Sequence, residues 1–211
     1  MDQGERVRLI GIDAPELSRG GAPDQPLAIQ AAATLRALAG PPGARLNIRS
    51  GAEPRDRHGR RLAYLFDTEG RHLAEQMLRR GLAYVAAIPP NLRYADCYLL
   101  AQSEAREERL GLWRTPALAA HRLPPREGFM RVRGRVARVD TGNGAARAAL
   151  RIEIAGGLRL YVQERDLAAF ASLDLDELQG REVEALGWVY RIQGQPRMRL
   201  RHPSALMADP P

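Results

Sequence analysis

The chain has 211 residues, 45% of them hydrophobic and 27% charged, with a net charge of +7, enough for one large domain or two small ones of ordinary globular composition. No stretch is long and apolar enough to cross a bilayer, no basic head with an apolar core marks a signal peptide in residues 1–11, and a single cysteine, Cys97, excludes an intramolecular disulfide framework. All 32 basic residues are arginine, so part of the basicity reflects compositional background, but an excess of arginine over carboxylates still attracts polyanions.

In chain order, the first half reads as strand, long loop, helix, strand, strand, helix, helix. Residues 7–13 are apolar and β-prone, and the loop at 20–26 carries Gly20, Gly21, Pro23 and Pro26. Asp24 is placed to cap a helix that runs to Ala39, where Gly40-Pro-Pro-Gly43 ends it. Strands are expected at 45–50 and 61–66, a helix from Leu73 to Gly81, and a longer helix over about 93–110. Cys97 falls in that last helix and is expected as a small core thiol. The segment 115–127 contains Pro116, Pro124 and Pro125, which suit neither a helix interior nor a central strand, and reads as a linker between domains 1–114 and 128–206.

The second half shows a period of two. Val132, Gly134 and Val136 alternate with Arg131, Arg133 and Arg135; Leu150, Ile152 and Ile154 follow, then Leu158, Leu160 and Val162. A helical piece is expected over 165–172, then strands at 182–190 and 197–201 hinged at Gly194. Five strands with a helix between the third and fourth is the order of a small Greek-key barrel of the OB type. Arg197, Arg199 and Arg201 share one strand face, as do Arg131, Arg133 and Arg135. If both trios face one groove they would track a nucleic-acid backbone; otherwise they are solvated surface. Trp113 and Trp188 are expected in packing, with a stacking surface as the alternative for Trp188, which is out of phase with Val183 and Val189.

One cluster carries chemistry: Arg8, then Asp13-Ala-Pro-Glu16, then Asp56-Arg-His-Gly-Arg60. Phosphodiester hydrolysis needs a base for water, cations on the phosphate and positive charge for the developing pentavalent state. Two carboxylates three residues apart across a proline turn can divide the tasks of ligating a hard cation and addressing a water. Arginine forks match phosphate with paired hydrogen bonds. Charged turns are also common solvated surface, so residue types alone leave both readings open. Arg8 and Asp13 would lie on opposite faces of a regular strand, so a bulge or bend is expected near Gly11. The four histidines share no metal-ligand spacing, which argues against zinc.

The run VRLIGIDAPE at residues 7–16 resembles the signature of the staphylococcal (thermo)nuclease family, an arginine-bearing strand entering a D-[TA]-P-E turn. DRHGRRLAY at 56–64 is similar to its second signature, LAEQMLRRGLAYV at 73–85 to the helix-turn segment, and SEAR at 103–106 with GLW at 111–113 to the last helix and its tryptophan. The resemblance implies an α+β fold, mainly β with helices: an N-terminal OB-like barrel with three helices, ahead of the second five-stranded barrel. It implies Glu16 as the general base, Arg8 and Arg60 as catalytic phosphate clamps, Asp13 and the backbone carbonyl of Ala14 as metal ligands, and Arg57 and His58 as contacts to a neighbouring phosphate. It further implies calcium or magnesium as cofactor and DNA or RNA as substrate.

The departures bear on activity. The family begins with a hairpin carrying a D-G-D-T-like run whose second aspartate is another metal ligand, and no acidic residue before Arg8 stands in that context. The first barrel is therefore expected to lack its first hairpin. Ala87 and Pro89 stand where the family carries aromatic residues. The second half resembles an OB-like extension of some bacterial members through residues 181–189, Gly194 and His202-Pro203. Three readings follow: a calcium-dependent nuclease working by water attack at phosphorus, a catalytically inactive nucleic-acid-binding protein of the same fold, or an interaction module in which neither barrel touches nucleic acid. A start upstream of Met1 would imply secretion or the periplasm, and the start as given the cytoplasm.

Overall fold

The structure is a computed structural model that describes residues 5–18, 23–142, 148–175 and 177–208. The chain divides into two compact units, one up to Thr115 and one from Pro116. The first contains β1 (Val7–Leu9), β2 (Ile12–Asp13), α1 (Ala28–Ala39), β3 (Asn47–Arg55), β4 (Arg61–Phe66), α2 (Leu73–Arg79), β5 (Tyr84–Val85) and α3 (Ala95–Glu107). β4 is the centre of a three-stranded sheet, parallel to β1 with Arg8 opposite Leu62, and antiparallel to β3. A separate ribbon pairs β2 with β5, Asp13 opposite Tyr84.

The helices form because their apolar residues recur at helical spacing. α2 buries Leu73, Ala74, Met77 and Leu78, and α3 buries Tyr98, Ala101, Gln102 and Ala105. These faces meet Ile10, Ile12, Tyr64, Leu82 and Val85 in one apolar core. Cys97 is not part of it: adjacent to the inward Tyr98, it is turned about 100° around the helix and is exposed. Asp24 does not cap α1 either. Its carboxylate accepts from the Ser18 N–H at 2.7 Å, while the N-cap position is Leu27, with a φ of 66° and no side-chain cap.

The second unit contains β6 (Leu118–Ala119), β7 (Gly128–Thr141), β8 (Ala148–Ile154), β9 (Arg159–Gln163), α4 (Glu164–Leu167), β10 (Glu182–Ile192), β11 (Gln195–Leu200) and β12 (Leu206–Ala208). β7, β8, β9, β11 and β10 follow one another and β10 returns to pair with β7, closing a five-stranded barrel in which only β9 and β11 run parallel. Period two places Val132, Val136, Leu150, Ile152, Ile154, Leu158, Leu160 and Val162 inside, as expected. α4 with the turn after it brings Phe170 into that core.

Two features were not foreseen. The proline-rich stretch read as linker contributes β6, parallel to β7, and a 3₁₀ turn over Ala120–Arg122 whose Ala120 is buried in the barrel core. A bulge between Val136 and Arg138 re-phases β7, so that Val139 packs inward while Arg138 and Asp140 face out.

Candidate active site

The bend expected at Gly11 is what assembles the site. β1 ends at Leu9, the Ile10 N–H donates to the Ala63 carbonyl at 3.1 Å, and the chain turns at Gly11, whose φ is +83°. A residue with a Cβ would be strained there and would meet Tyr98 Cδ2 at 2.8 Å. The Gly11 carbonyl then accepts from the Ala86 N–H at 2.9 Å, which starts the β2–β5 ribbon. The bend brings Arg8 and Asp13, out of phase along a straight strand, to 3.7 Å between guanidinium and carboxylate.

Asp13 is the buried member, its side chain 11% exposed. Burial pushes its carboxyl up to about 6; Glu16 adds to the rise, and Arg8 and Arg60 oppose it. All four groups named in that balance therefore lie in one electrostatic neighbourhood. Glu16 itself is exposed. Its backbone is clamped on both sides by Gln25, whose side-chain oxygen accepts from the Glu16 N–H and whose own N–H donates to the Glu16 carbonyl, each at 3.2 Å.

Arg60 reaches this neighbourhood from the turn before β4. Asp56 holds it there. One carboxylate oxygen accepts from the Arg60 side-chain Nε at 2.6 Å, and the other from the His58 and Arg60 amides at 2.8 and 3.0 Å. Burial tends to raise the Asp56 carboxyl, but those hydrogen bonds prevail and hold it below its usual range. The Asp56–Arg60 bond occupies Nε and leaves the guanidinium's far edge available, and the side chain is 37% exposed. Arg57 and His58 lie on the exposed turn, where Arg57 Nε donates to His58 Nε2 at 3.1 Å. They form a pair of their own, with no ion pair or hydrogen bond to the Asp13 group among the described residues.

Sequence reasoning put Asp56 in the cluster but gave it no task, and it missed Gln25. Asp56 was detectable, since an aspartate two residues ahead of His58 and four ahead of Arg60 fits an Asx turn. Gln25 carried no such signal, because its partner is nine residues away across a loop.

The donor set around Asp13 is the one a hard cation would meet. Asp13 is a buried carboxylate pushed toward protonation, next to a second negative group and the Ala14 backbone, so the donors are oxygens only. Among the described residues no group of three or more His, Cys, Asp or Glu side chains converges on a metal position. These oxygen donors are of the kind that a hard cation takes, but fewer than an all-protein cage would supply among the described residues.

The family model for staphylococcal nuclease homologues matches residues 6–115, the stretch that holds every one of these groups. The chain belongs to the staphylococcal nuclease family. Within it, the chain is 35% identical over 117 residues to a thermonuclease of Staphylococcus intermedius, covering 53% of this chain and 64% of that protein. It is 32% identical over 110 residues to the endonuclease YncB of Bacillus subtilis, covering 52% and 51%. A prophage-derived endonuclease of the same bacterium, YokF, is 33% identical over 110 residues, covering 52% and 36%. The match thus spans between about a third and two thirds of these relatives' lengths. The second unit lies outside the match to the staphylococcal nuclease family.

Proposed function

We propose that the first unit is a metal-dependent nuclease that hydrolyses phosphodiester bonds of DNA or RNA by attack of water at phosphorus. The observation that carries this reading is the convergence of Arg8, Asp13, Glu16 and Arg60 on one neighbourhood through the Gly11 bend and the Asp56 turn. The solvent-accessible Glu16 carboxylate takes a proton from water as the water oxygen bonds to phosphorus. Arg8 and Arg60 place cationic forks on the phosphate oxygens, where negative charge grows, and the bond to the leaving sugar oxygen breaks with a proton returned to that oxygen from solvent. Asp13 and the Ala14 carbonyl would hold calcium or magnesium, which would supply further positive charge to the phosphate. Arg57 and His58, on the exposed turn, contact a neighbouring phosphate of the strand.

Glu16→Gln is expected to lower turnover on a single-stranded oligonucleotide by a factor on the order of a hundred while leaving binding nearly intact. Chelation is expected to abolish cleavage by the wild type, and added calcium to restore it. Equal turnover in wild type and variant removes Glu16 from the mechanism, and cleavage undiminished by chelation removes the metal. Binding without turnover in the wild type leaves a nucleic-acid-binding protein of the same fold.

A further inference from the structure

The two arginine trios of the second barrel do not form one groove. Arg131 is buried against Glu184 at 3.8 Å, and Arg133 and Arg135 both lie against Glu182, at 3.5 and 3.7 Å. Arg199 pairs with the buried Asp166 of α4. These charges are largely committed within the fold. A different set is committed only in part. The barrel registers line up outward-facing residues across adjacent strands: Arg138 on β7 beside Glu153 on β8, Glu153 beside Arg159 on β9, Arg159 beside Arg197 on β11, and Arg197 beside Tyr190 on β10. The next row pairs Asp140, Arg151 and Tyr161.

These rows line a cavity of about 590 Å³ on the outside of the barrel. Four arginines face two carboxylates around it. Arg151 lies 3.4 Å from Asp140 and Arg159 3.5 Å from Glu153, while Arg138 and Arg197 have no carboxylate partner among the described residues. The Arg197 Nε is buried and makes no hydrogen bond. Between the arginines sit two rings. Tyr161 and Tyr190 join hydroxyl to hydroxyl, their rings edge to face with centroids 6.4 Å apart. Burial, reinforced by the hydrogen bond to Tyr161, pushes the Tyr190 hydroxyl well above its usual range, so that hydroxyl stays neutral beside an anionic ligand. Ile192 borders the cavity 43% exposed, and Trp188, two residues from Tyr190 on the same face of β10, is 48% exposed.

Cations with no carboxylate partner among the described residues, interleaved with aromatic faces, match a ligand carrying both anionic groups and flat rings. Single-stranded nucleic acid has that alternation, phosphates along the backbone and unpaired bases beside it. A duplex offers the phosphates but hides the bases, and an acidic peptide offers charge without rings. β8 and β9 are moreover the second and third strands of the barrel, the face on which folds of this order bind oligonucleotides.

We propose that this cavity is a binding groove for single-stranded nucleic acid, with Arg138, Arg159 and Arg197 on phosphates and Tyr161, Tyr190 and Trp188 presented to bases. The groove uses neither Glu16 nor Asp13, so it stands or falls independently of cleavage by the first unit.

The test measures affinity of the full chain, with chelator present, for a labelled oligothymidylate of about 16 nucleotides at several salt concentrations. Replacing both uncommitted cations, Arg138→Ala with Arg197→Ala, is expected to weaken binding on the order of tenfold at low salt and to flatten the log–log salt slope by about 1.4, roughly 0.7 for each phosphate contact on a single strand. The Arg138→Lys, Arg197→Lys pair is expected to keep the slope, since lysine retains the point charge. The wild type is expected to bind oligothymidylate more tightly than an abasic strand of equal length or a duplex, and polyglutamate is expected not to compete. Glu16→Gln is expected to bind as the wild type does, which separates this result from the nuclease reading. An unchanged slope in the alanine pair overturns the proposal. So does equal affinity for the abasic strand, which marks a general anion surface, and so does effective competition by polyglutamate, which marks an acidic protein partner.

Discussion

Asp56 shows how a single carboxylate turns a flexible arginine into a placed one, accepting from the Arg60 side chain while closing the turn through two amides. His72 does the opposite in the core, where it orders neighbours by staying neutral. Its ring stacks on Phe66 at 4.3 Å, lies edge-on to Tyr64 and Tyr94, and its Nε2 sits 2.8 Å from the Tyr98 hydroxyl. Burial pulls its pKa down to about 4, against a small opposing push from Glu75. The unfolded chain takes up this proton near the ordinary value of about 6.5, and the folded one only near 4. Stability is therefore expected to fall as pH drops from about 6.5 to 4, by on the order of 2–3 kcal/mol from this group, and to be unaffected by it above pH 7. Comparing denaturant unfolding of wild type and His72→Gln across that range isolates the contribution. A stability difference between the two that does not narrow toward acid pH contradicts it.

At the scale of elements, β1, the Gly11 bend and β2 act as one device. β1 is short but fixed by β4, β2 is shorter still and fixed by β5, and the bend between them sets the Arg8–Asp13 approach. Gly11→Ala forces a side chain into the left-handed region and against the Tyr98 ring. It is expected to destabilise the first unit by about 2–4 kcal/mol, about 1–2 from the backbone and the rest from overpacking. Thermal unfolding measures the loss. Where the unit remains folded, cleavage is expected to fall as well, because Asp13 no longer meets Arg8. Unaltered stability means that the backbone relaxes to a negative φ without moving the core.

The whole molecule has two cores built from separate residues: Ile10, Tyr64, Met77 and Tyr98 in the first unit, Val136, Leu160, Val183 and Met198 in the second. Among the described residues the two clusters share no side chain. Cooperative unfolding follows a shared core, so calorimetry is expected to resolve two transitions, with Gly11→Ala lowering only one of them. A single transition that shifts as a whole shows that the units unfold together. The closed barrel also satisfies its strand edges by returning β10 to β7, whereas the sheet of the first unit ends on β1 and β3, and nearly all of β3 is exposed.

The sequence by itself determined everything that local pattern controls. Strict alternation specified the inward residues of the second barrel, and helical spacing specified the buried faces of α2 and α3. The D-A-P-E and D-R-H-G-R runs contain Glu16 and Arg60, two of the charges that act on Asp13, because turn chemistry and residue type are both written locally. Gly11 was readable as a bend because Arg8 and Asp13, five residues apart, would otherwise have pointed to opposite faces. What the sequence left open depends on which neighbour, near or distant along the chain, wins each position and each side chain in the packed structure. Cys97 faces out because Tyr98 takes the core position, Asp24 serves Ser18 instead of a helix end, and a proline-rich segment becomes a strand because β7 offers it an edge. The arginines of the second barrel look alike in sequence. Tertiary structure alone divided them, setting Glu184, Glu182 and Asp166 against some and leaving Arg138 and Arg197 without a carboxylate among the described residues, since ion pairing is decided by which strands become neighbours.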